Sequence, residues 1–382
     1  MVQCGSKKKI LIVFGTRPEA IKMAPLVKKI DSVDSLKSIV CVTAQHREML
    51  DMVLDLFGIL PEYDLNLMSA HQSITDITVR VLTGMKEVLE REQPAAVLVH
   101  GDTTTTLSAA LAAFYQKVPV GHVEAGLRSG NIYSPYPEEM NRRLASAIAT
   151  LHFAPTERNK QNLLHEGISE EKIFVTGNTV IDALHMVIRN DYRFPVELLN
   201  RLDFQNNKII LLTTHRRENW GKPMDEIFSA VRHILLANED VEMVFPVHPN
   251  PVVRDAACRA LGSLPRAHLI PPLDYEPFVN LMARVYLVLT DSGGIQEEAP
   301  ALGKPVLVLR TETERPEAVE AGTVKIAGVE KEDIIRLTQE LLDNKREYEN
   351  MARAINPYGD GKAAERILTV LTKWFATNHY II

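Results

Sequence analysis

The chain has 382 residues, 46% hydrophobic and 24% charged, with a net charge of −6. At about 150 residues per domain the length predicts two domains, and the acidic balance argues against a nucleic-acid surface. No apolar run approaches the roughly 18 residues of a membrane span, so a cytoplasmic protein without membrane or nucleic-acid partners is expected. The basic start, Met1–Lys9, runs directly into an apolar strand pattern with no small-residue cleavage site. Cys4, Cys41 and Cys258 lack CxxC spacing and the histidines lack ligand spacing, which indicates neither a disulfide framework nor a metal site. No GxGxxG follows a strand and no GxxxxGK[ST] occurs, so neither a nicotinamide or flavin cofactor nor phosphoryl transfer from ATP is supported.

In chain order, Ile10–Phe14 is an apolar strand pattern, followed by Gly15-Thr16-Arg17-Pro18-Glu19 and a helical pattern through Ile30. Pro18 suits a first helical turn, where its missing N–H costs nothing. Arg17, with Lys22 one turn later, suits an anionic ligand, though a solvated helix start would use the same residues. Ser38–Thr43 is a second strand, and Gln45–Phe57 and Ser73–Glu92 are amphipathic helices. The centre of the first half is Ala95–Gly130. One strand there stops at His100-Gly101-Asp102 and opens a helix, and the next stops at Glu124. In an open parallel sheet, ligands sit beyond the carboxyl ends of the strands, so Asp102 and Glu124 should face one site, a pairing that suggests acid/base chemistry. Glu138 heads the next helix, where a carboxylate is either a favourable dipole partner or a third site group.

Strands at Leu151–Ala154 and Ile173–Thr176 complete this half, and 191–207 reads as a connector. A second α/β domain starts with Lys208–Thr214 and runs directly into His215 at the cleft edge. Later strands are read at Val241–Pro246, His268–Ile270, Val285–Thr290, Pro305–Leu309 and Thr323–Ile326. Asp291-Ser292-Gly293-Gly294 after a buried strand is either a plain turn or a place where backbone amides and Ser292 meet a diphosphate. Glu298 could then accept from ribose hydroxyls, and Arg315 neutralise the phosphates. Helices close the chain at Asp333–Tyr348 and Ala363–Thr377. The pattern predicts two Rossmann-like, doubly wound α/β domains facing a central cleft: 1–180 with the carboxylates, 181–362 with the diphosphate site, and a terminal helix, 363–382, packing back on the first domain.

These stretches together resemble the non-hydrolysing UDP-N-acetylglucosamine 2-epimerases of bacteria. Phe14–Pro25, Gln45–Leu50, His100–Thr104, Val123–Ser129, Pro137–Arg142, Thr214–Asn219, His248–Asn250 and Asp291–Glu298 match that family's blocks in order, over nearly the whole chain. The resemblance implies the GT-B fold, a homodimer, and interconversion of UDP-GlcNAc with UDP-ManNAc without NAD or a required metal. It implies Asp102, Glu124, Glu138 and His215 as catalytic groups. Sugar-nucleotide contacts would come from Arg17, Lys22, Asp102, Glu124, Arg142, His215, Phe278, Ser292, Gly293, Gly294, Glu298 and Arg315. Leu273 stands where some relatives have Gln, which would leave backbone groups to hold the uracil. Gln45, Glu138, Arg216 and His248 match positions that hold a second UDP-GlcNAc in some members, although Glu48 and His71 depart from one version of that pattern. The fold equally admits a GT-B glycosyltransferase, which would leave three cleft carboxylates without work, and the chemistry admits a modified UDP-GlcNAc as substrate.

Overall fold

The computed structural model describes residues 7–43, 47–67 and 72–377. It separates into two compact units, Met1–Met186 with Tyr358–Ile382, and Val187–Pro357. The crossings fall at 186/187 and 357/358, where the sequence pattern placed the boundaries at 180/181 and 362/363.

The first unit alternates β1 (Lys8–Phe14), α1 (Arg17–Asp31), β2 (Leu36–Val42), α2 (Arg47–Phe57), β3 (Tyr63–Asp64), α3 (Ile74–Glu92), β4 (Ala96–His100), α4 (Thr104–Tyr115) and β5 (Val120–Val123). It continues through α5 (Glu138–Ile148), β6 (Leu151–Ala154), α6 (Glu157–His165), β7 (Ile173–Val175) and α7 (Thr179–Val187). All pairings are parallel, in the order β3-β2-β1-β4-β5-β6-β7. Strands buried on both faces read as unbroken apolar runs rather than alternating ones, which is why Ile10–Phe14 and Ala96–Val99 are legible as strands. Leu11, Val13, Val97 and Val99 pack one face against Val81 and Met85 of α3 and the alanines of α4.

The second unit carries α8 (Glu197–Arg201), β8 (Lys208–Thr213), α9 (Lys222–Ala237), β9 (Val241–Pro246), α10 (Pro251–Leu261), β10 (Ala267–Ile270), α11 (Tyr275–Arg284) and β11 (Leu287–Thr290). After these come α12 (Ile295–Ala301), β12 (Val306–Val308), α13 (Pro316–Glu320), β13 (Val324–Ile326), α14 (Lys331–Asp343) and α15 (Lys345–Ala352). The chain then returns to the first unit for α16 (Ala363–Thr377). Its sheet is also parallel, in the order β10-β9-β8-β11-β12-β13. Both units are therefore Rossmann-like and doubly wound.

Three readings need correction. The connector contains the short helix α8. Val285 is the C-cap of α11 rather than a strand residue. The expected helix 333–348 is two helices broken at Asn344, whose side chain accepts from the Arg346 and Glu347 amides and so starts a new helix. No helix among the described residues is long and apolar enough to cross a membrane.

Candidate functional site

In each sheet the direction of winding reverses between two adjacent strands, β1 and β4 in the first unit and β8 and β11 in the second, and the turns after those strands flank the crevice where ligands bind. Among the described residues, most of those singled out from sequence fall on these turns and their neighbours.

In the first unit, Gly15 passes so close to Thr43 and Thr105 that a Cβ would fall onto their hydroxyls. This close passage lets the β1–α1 turn settle beside β4 and sets Arg17 at the start of α1. Glu19 is 3% exposed and closes a capping box with Thr16. One of its oxygens accepts from the Gly15 and Thr16 amides at 2.9 and 2.8 Å, and the other accepts from the Thr103 hydroxyl at 2.6 Å. The turn bearing Arg17 is thereby tied to the turn bearing Asp102.

Asp102 accepts from Arg142 Nε and Nη2 of α5 at 2.8 and 2.6 Å, and its carbonyl accepts from Asn141 at 2.9 Å. Glu138 lies one turn before Arg142, at the head of the same helix, and its Oε2 is buried without a hydrogen-bond partner among the described residues. Glu139 is fully buried. Burial alone would raise its pKa, yet the Ser129 amide and Arg142 outweigh that and hold it below the ordinary carboxylate value.

Glu124 directly follows β5 in the left-handed backbone region, φ +61°, a sparsely populated conformation for a residue with a side chain. Two residues on, Gly126 (φ +90°) lies against the Asn159 carbonyl, where no Cβ would fit. The Glu124 carboxylate pairs with Lys22 of α1, accepts from Asn178 Nδ2 at 2.9 Å, and lies 3.6 Å from His100 Nε2. His122 Nε2 bonds the Gly101 carbonyl at 2.7 Å, steadying the turn beside it. Burial drives the histidine pKa values down, His100 to about 3 and His122 to about 4, so both rings are neutral at physiological pH. The structure gives Asp102 and Glu124 a cation each, Arg142 and Lys22.

In the second unit Asp291 is fully buried and organises the turn after β8. Its Oδ2 accepts from the Thr214 hydroxyl (2.9 Å), the His215 amide (2.8 Å), the Arg216 amide (2.9 Å) and Asn219 Nδ2 (3.1 Å). His215 is exposed and stacks on His248, with ring centres 5.5 Å apart. The Ser292 amide donates back to Thr290 Oγ1 at 3.0 Å, which leaves the Ser292 hydroxyl and the Gly293 and Gly294 amides as the donors this turn would offer an anion. Glu298 Oε1 lies beside Gly294.

Arg315, expected to neutralise phosphates, pairs with Glu297, and Arg216, one of the positions expected to hold a second UDP-GlcNAc, lies 3.3 Å from Glu314. Glu314 is also bound by Arg310 at 2.7 Å, and although burial opposes it, these arginines draw its pKa down to about 2. Leu273 lies in the link between β10 and α11, and Phe278 in the first turn of α11. Gln45 and His71 lie outside the described residues, and Glu48 is exposed in the first turn of α2.

Sequence reasoning missed Glu19, Asn141, Asn178 and Asp291 as organisers. Glu19 alone had a local signal, the Thr-x-x-Glu spacing of a capping box. Among the described residues, no group of three or more His, Cys, Asp or Glu is placed to hold a metal ion.

The sequence model of the UDP-N-acetylglucosamine 2-epimerases matches residues 28–372. The UDP-N-acetylglucosamine 2-epimerases of Bacillus subtilis and Escherichia coli K12 are 55% and 54% identical, over 96% and 95% of this chain and 95% and 98% of theirs. A Neisseria meningitidis UDP-GlcNAc 2-epimerase, solved bound to UDP-GlcNAc, is 51% identical with a TM-score of 0.85, covering 96% of this chain and all of that one. With two reversed parallel sheets, the GT-B type of two-domain α/β fold and this likeness over almost its full length, the chain belongs to the UDP-N-acetylglucosamine 2-epimerase family.

Proposed function

We propose that the protein reversibly converts UDP-GlcNAc to UDP-ManNAc without net hydrolysis, in the cytoplasm and as a homodimer, supplying ManNAc-type sugars for cell-surface polysaccharide. The C2 proton of a 2-acetamido sugar is not beside a carbonyl, so direct abstraction is difficult. Elimination avoids the problem: a base removes the C2 proton as the C1–O bond breaks and UDP departs, giving 2-acetamidoglucal. Protonation of C2 on the other face and attack of a UDP oxygen on C1 then give the epimer. The supporting observation is the set of carboxylates at one sheet edge, Asp102 with Arg142, Glu124 with Lys22 and Glu138 with a buried oxygen that has no hydrogen-bond partner among the described residues. Such groups can exchange protons on two faces of a sugar. Arg17, His215, Arg315 and the Ser292–Gly294 turn would stabilise charge on the departing diphosphate, and Phe278, Leu273 and Glu298 would hold the nucleoside.

UDP-GlcNAc incubated alone in D2O and followed by NMR tests this reading. The expected result is UDP-ManNAc carrying deuterium at C2, with traces of 2-acetamidoglucal and UDP. Product that retains its C2 hydrogen sinks the mechanism. Release of free ManNAc would indicate a hydrolysing enzyme, and turnover only with an acceptor a glycosyltransferase.

The same reading includes a second UDP-GlcNAc held by Gln45, Glu138, Arg216 and His248. A ligand favours one state only through tighter binding to it. Sigmoidal dependence on UDP-GlcNAc is expected, with little reverse reaction until some UDP-GlcNAc is added. Hyperbolic forward kinetics together with an immediate reverse reaction would remove the effector site.

A further inference from the structure

Asp291 uses only one of its two buried oxygens to hold the β8 turn. Oδ2 carries all four hydrogen bonds, while Oδ1 is fully buried and has no hydrogen-bond partner among the described residues. Nδ1 of His215 lies 3.4 Å from Oδ1. The His215 amide is bound by the same carboxylate and one face of its ring stacks on His248, contacts that favour this position of the imidazole. Leaving a buried carboxylate oxygen without a donor is costly, so the ring satisfies it best with Nδ1 protonated. Hydrogen bonds of this kind are often long before a ligand binds and shorten in the complex.

We infer that Asp291 is a positioning residue for catalysis: through Oδ1 it keeps the proton of His215 on Nδ1 and makes Nε2 the nitrogen presented to the substrate. An aspartate that holds an imidazole by Nδ1–H selects its tautomer and supports the imidazolium when it forms. The Oδ2 clamp and the Oδ1 contact are separable, because the carboxamide introduced by Asp291→Asn retains an oxygen for the four donors of the turn. Its NH2 then faces Nδ1, which must become the acceptor, and the proton of the neutral ring moves to Nε2. The inference rests on the proposed epimerase reaction only for its kinetic consequence.

The test compares wild type, Asp291→Asn, His215→Asn and the double variant, with 15N-labelled protein to read the His215 ring. In wild type the neutral ring should carry its proton on Nδ1. In Asp291→Asn it should carry it on Nε2, while far-UV circular dichroism and the rise in melting temperature on adding UDP stay as in wild type. With UDP-GlcNAc, kcat should fall about 10²- to 10³-fold with KM within about threefold, the scale of losing an acid/base or charge-stabilising group. Because the two residues act as a unit, the double variant should be no slower than His215→Asn alone. A wild-type neutral ring protonated on Nε2 overturns the inference, and it does so even if Asp291→Asn fails to fold. An Asp291→Asn enzyme within threefold of wild-type kcat overturns it as well. If wild type does not convert UDP-GlcNAc at all, the epimerase reading has failed, and the ring spectrum alone decides the role of Asp291.

Discussion

Glu19 receives five hydrogen bonds inside a site that admits almost no water, from the Gly15 and Thr16 amides and the Thr16, Thr103 and Thr106 hydroxyls. Burial raises its pKa while the donors pull the other way, with Thr103 the strongest of them. Removing the carboxyl would leave two amides unsatisfied at roughly 1–3 kcal/mol each. Glu19→Ala is therefore expected to lose about 3–5 kcal/mol of stability in denaturant unfolding, with kcat/KM reduced by about two orders of magnitude as the turns of Arg17 and Asp102 drift apart. Glu19→Gln, which can still accept from the amides while donating to the threonines, should retain most of the stability; equal loss in both variants would show that charge, not geometry, holds the turns.

At the same scale, Asp102→Asn, Glu124→Gln and Glu138→Gln should each leave a folded protein with turnover down by about 10²-fold or more. Near-normal turnover in one of them removes that residue from the catalytic set. Asp102 and Glu124 were legible because each follows an apolar run and so had to lie at the end of a buried strand. The partners of Glu19 were not, because Thr103 lies 84 residues away and becomes a neighbour only once β1 pairs with β4.

Among the elements, β4, β5 and β6 each place a histidine in the buried sheet: His100, His122 and His152, with His122 and His152 directly paired in register. All three have pKa values pushed below 6.5, chiefly by burial, to about 3, 4 and 3 respectively. The fold thus keeps neutral rings that an unfolded chain would protonate. The associated stability is fully present above about pH 6.5 and is lost as pH falls toward 3–4, at about 1.4 kcal/mol per histidine per pH unit. Unfolding free energy should fall steeply between pH 6.5 and 4.5, and His152→Gln should flatten that slope; an unchanged slope would place the titrating groups elsewhere. Apolar runs revealed these strands, yet nothing local announced that their histidines would be neutral. Breaks that depend on a single cap, such as Asn344 between α14 and α15, were equally hidden under a continuous amphipathic pattern.

At the scale of the molecule, the chain leaves the first unit after Met186, builds the second, and returns at Tyr358 to complete the first with α16. The return is fastened near the site: the Tyr358 carbonyl accepts from the Asn178 amide at 2.7 Å, and Asn178 holds Glu124 with its side chain. One apolar face of α16, including Ile367 and Leu371, is fully buried, and the helix packs on α1. Its first turn is bound by Asp182 of α7, which accepts from the Ala363 and Ala364 amides at 3.1 and 2.9 Å. The sequence showed that α16 is amphipathic, but a carboxylate 181 residues upstream cannot be recognised as its cap.

Two substitutions should separate fastening from chemistry. Asp182→Ala removes the acceptor from two buried amides, so it should cost about 1–2 kcal/mol and lower the melting temperature by roughly 2–8 °C, with kcat at 25 °C nearly unchanged. Asn178→Ala should do the opposite, cutting turnover through the loosened Glu124 with a smaller effect on melting. If Asp182→Ala melts like wild type, the apolar face alone holds α16; if it slows turnover as much as Asn178→Ala, the returning segment and the Glu124 turn move as one piece.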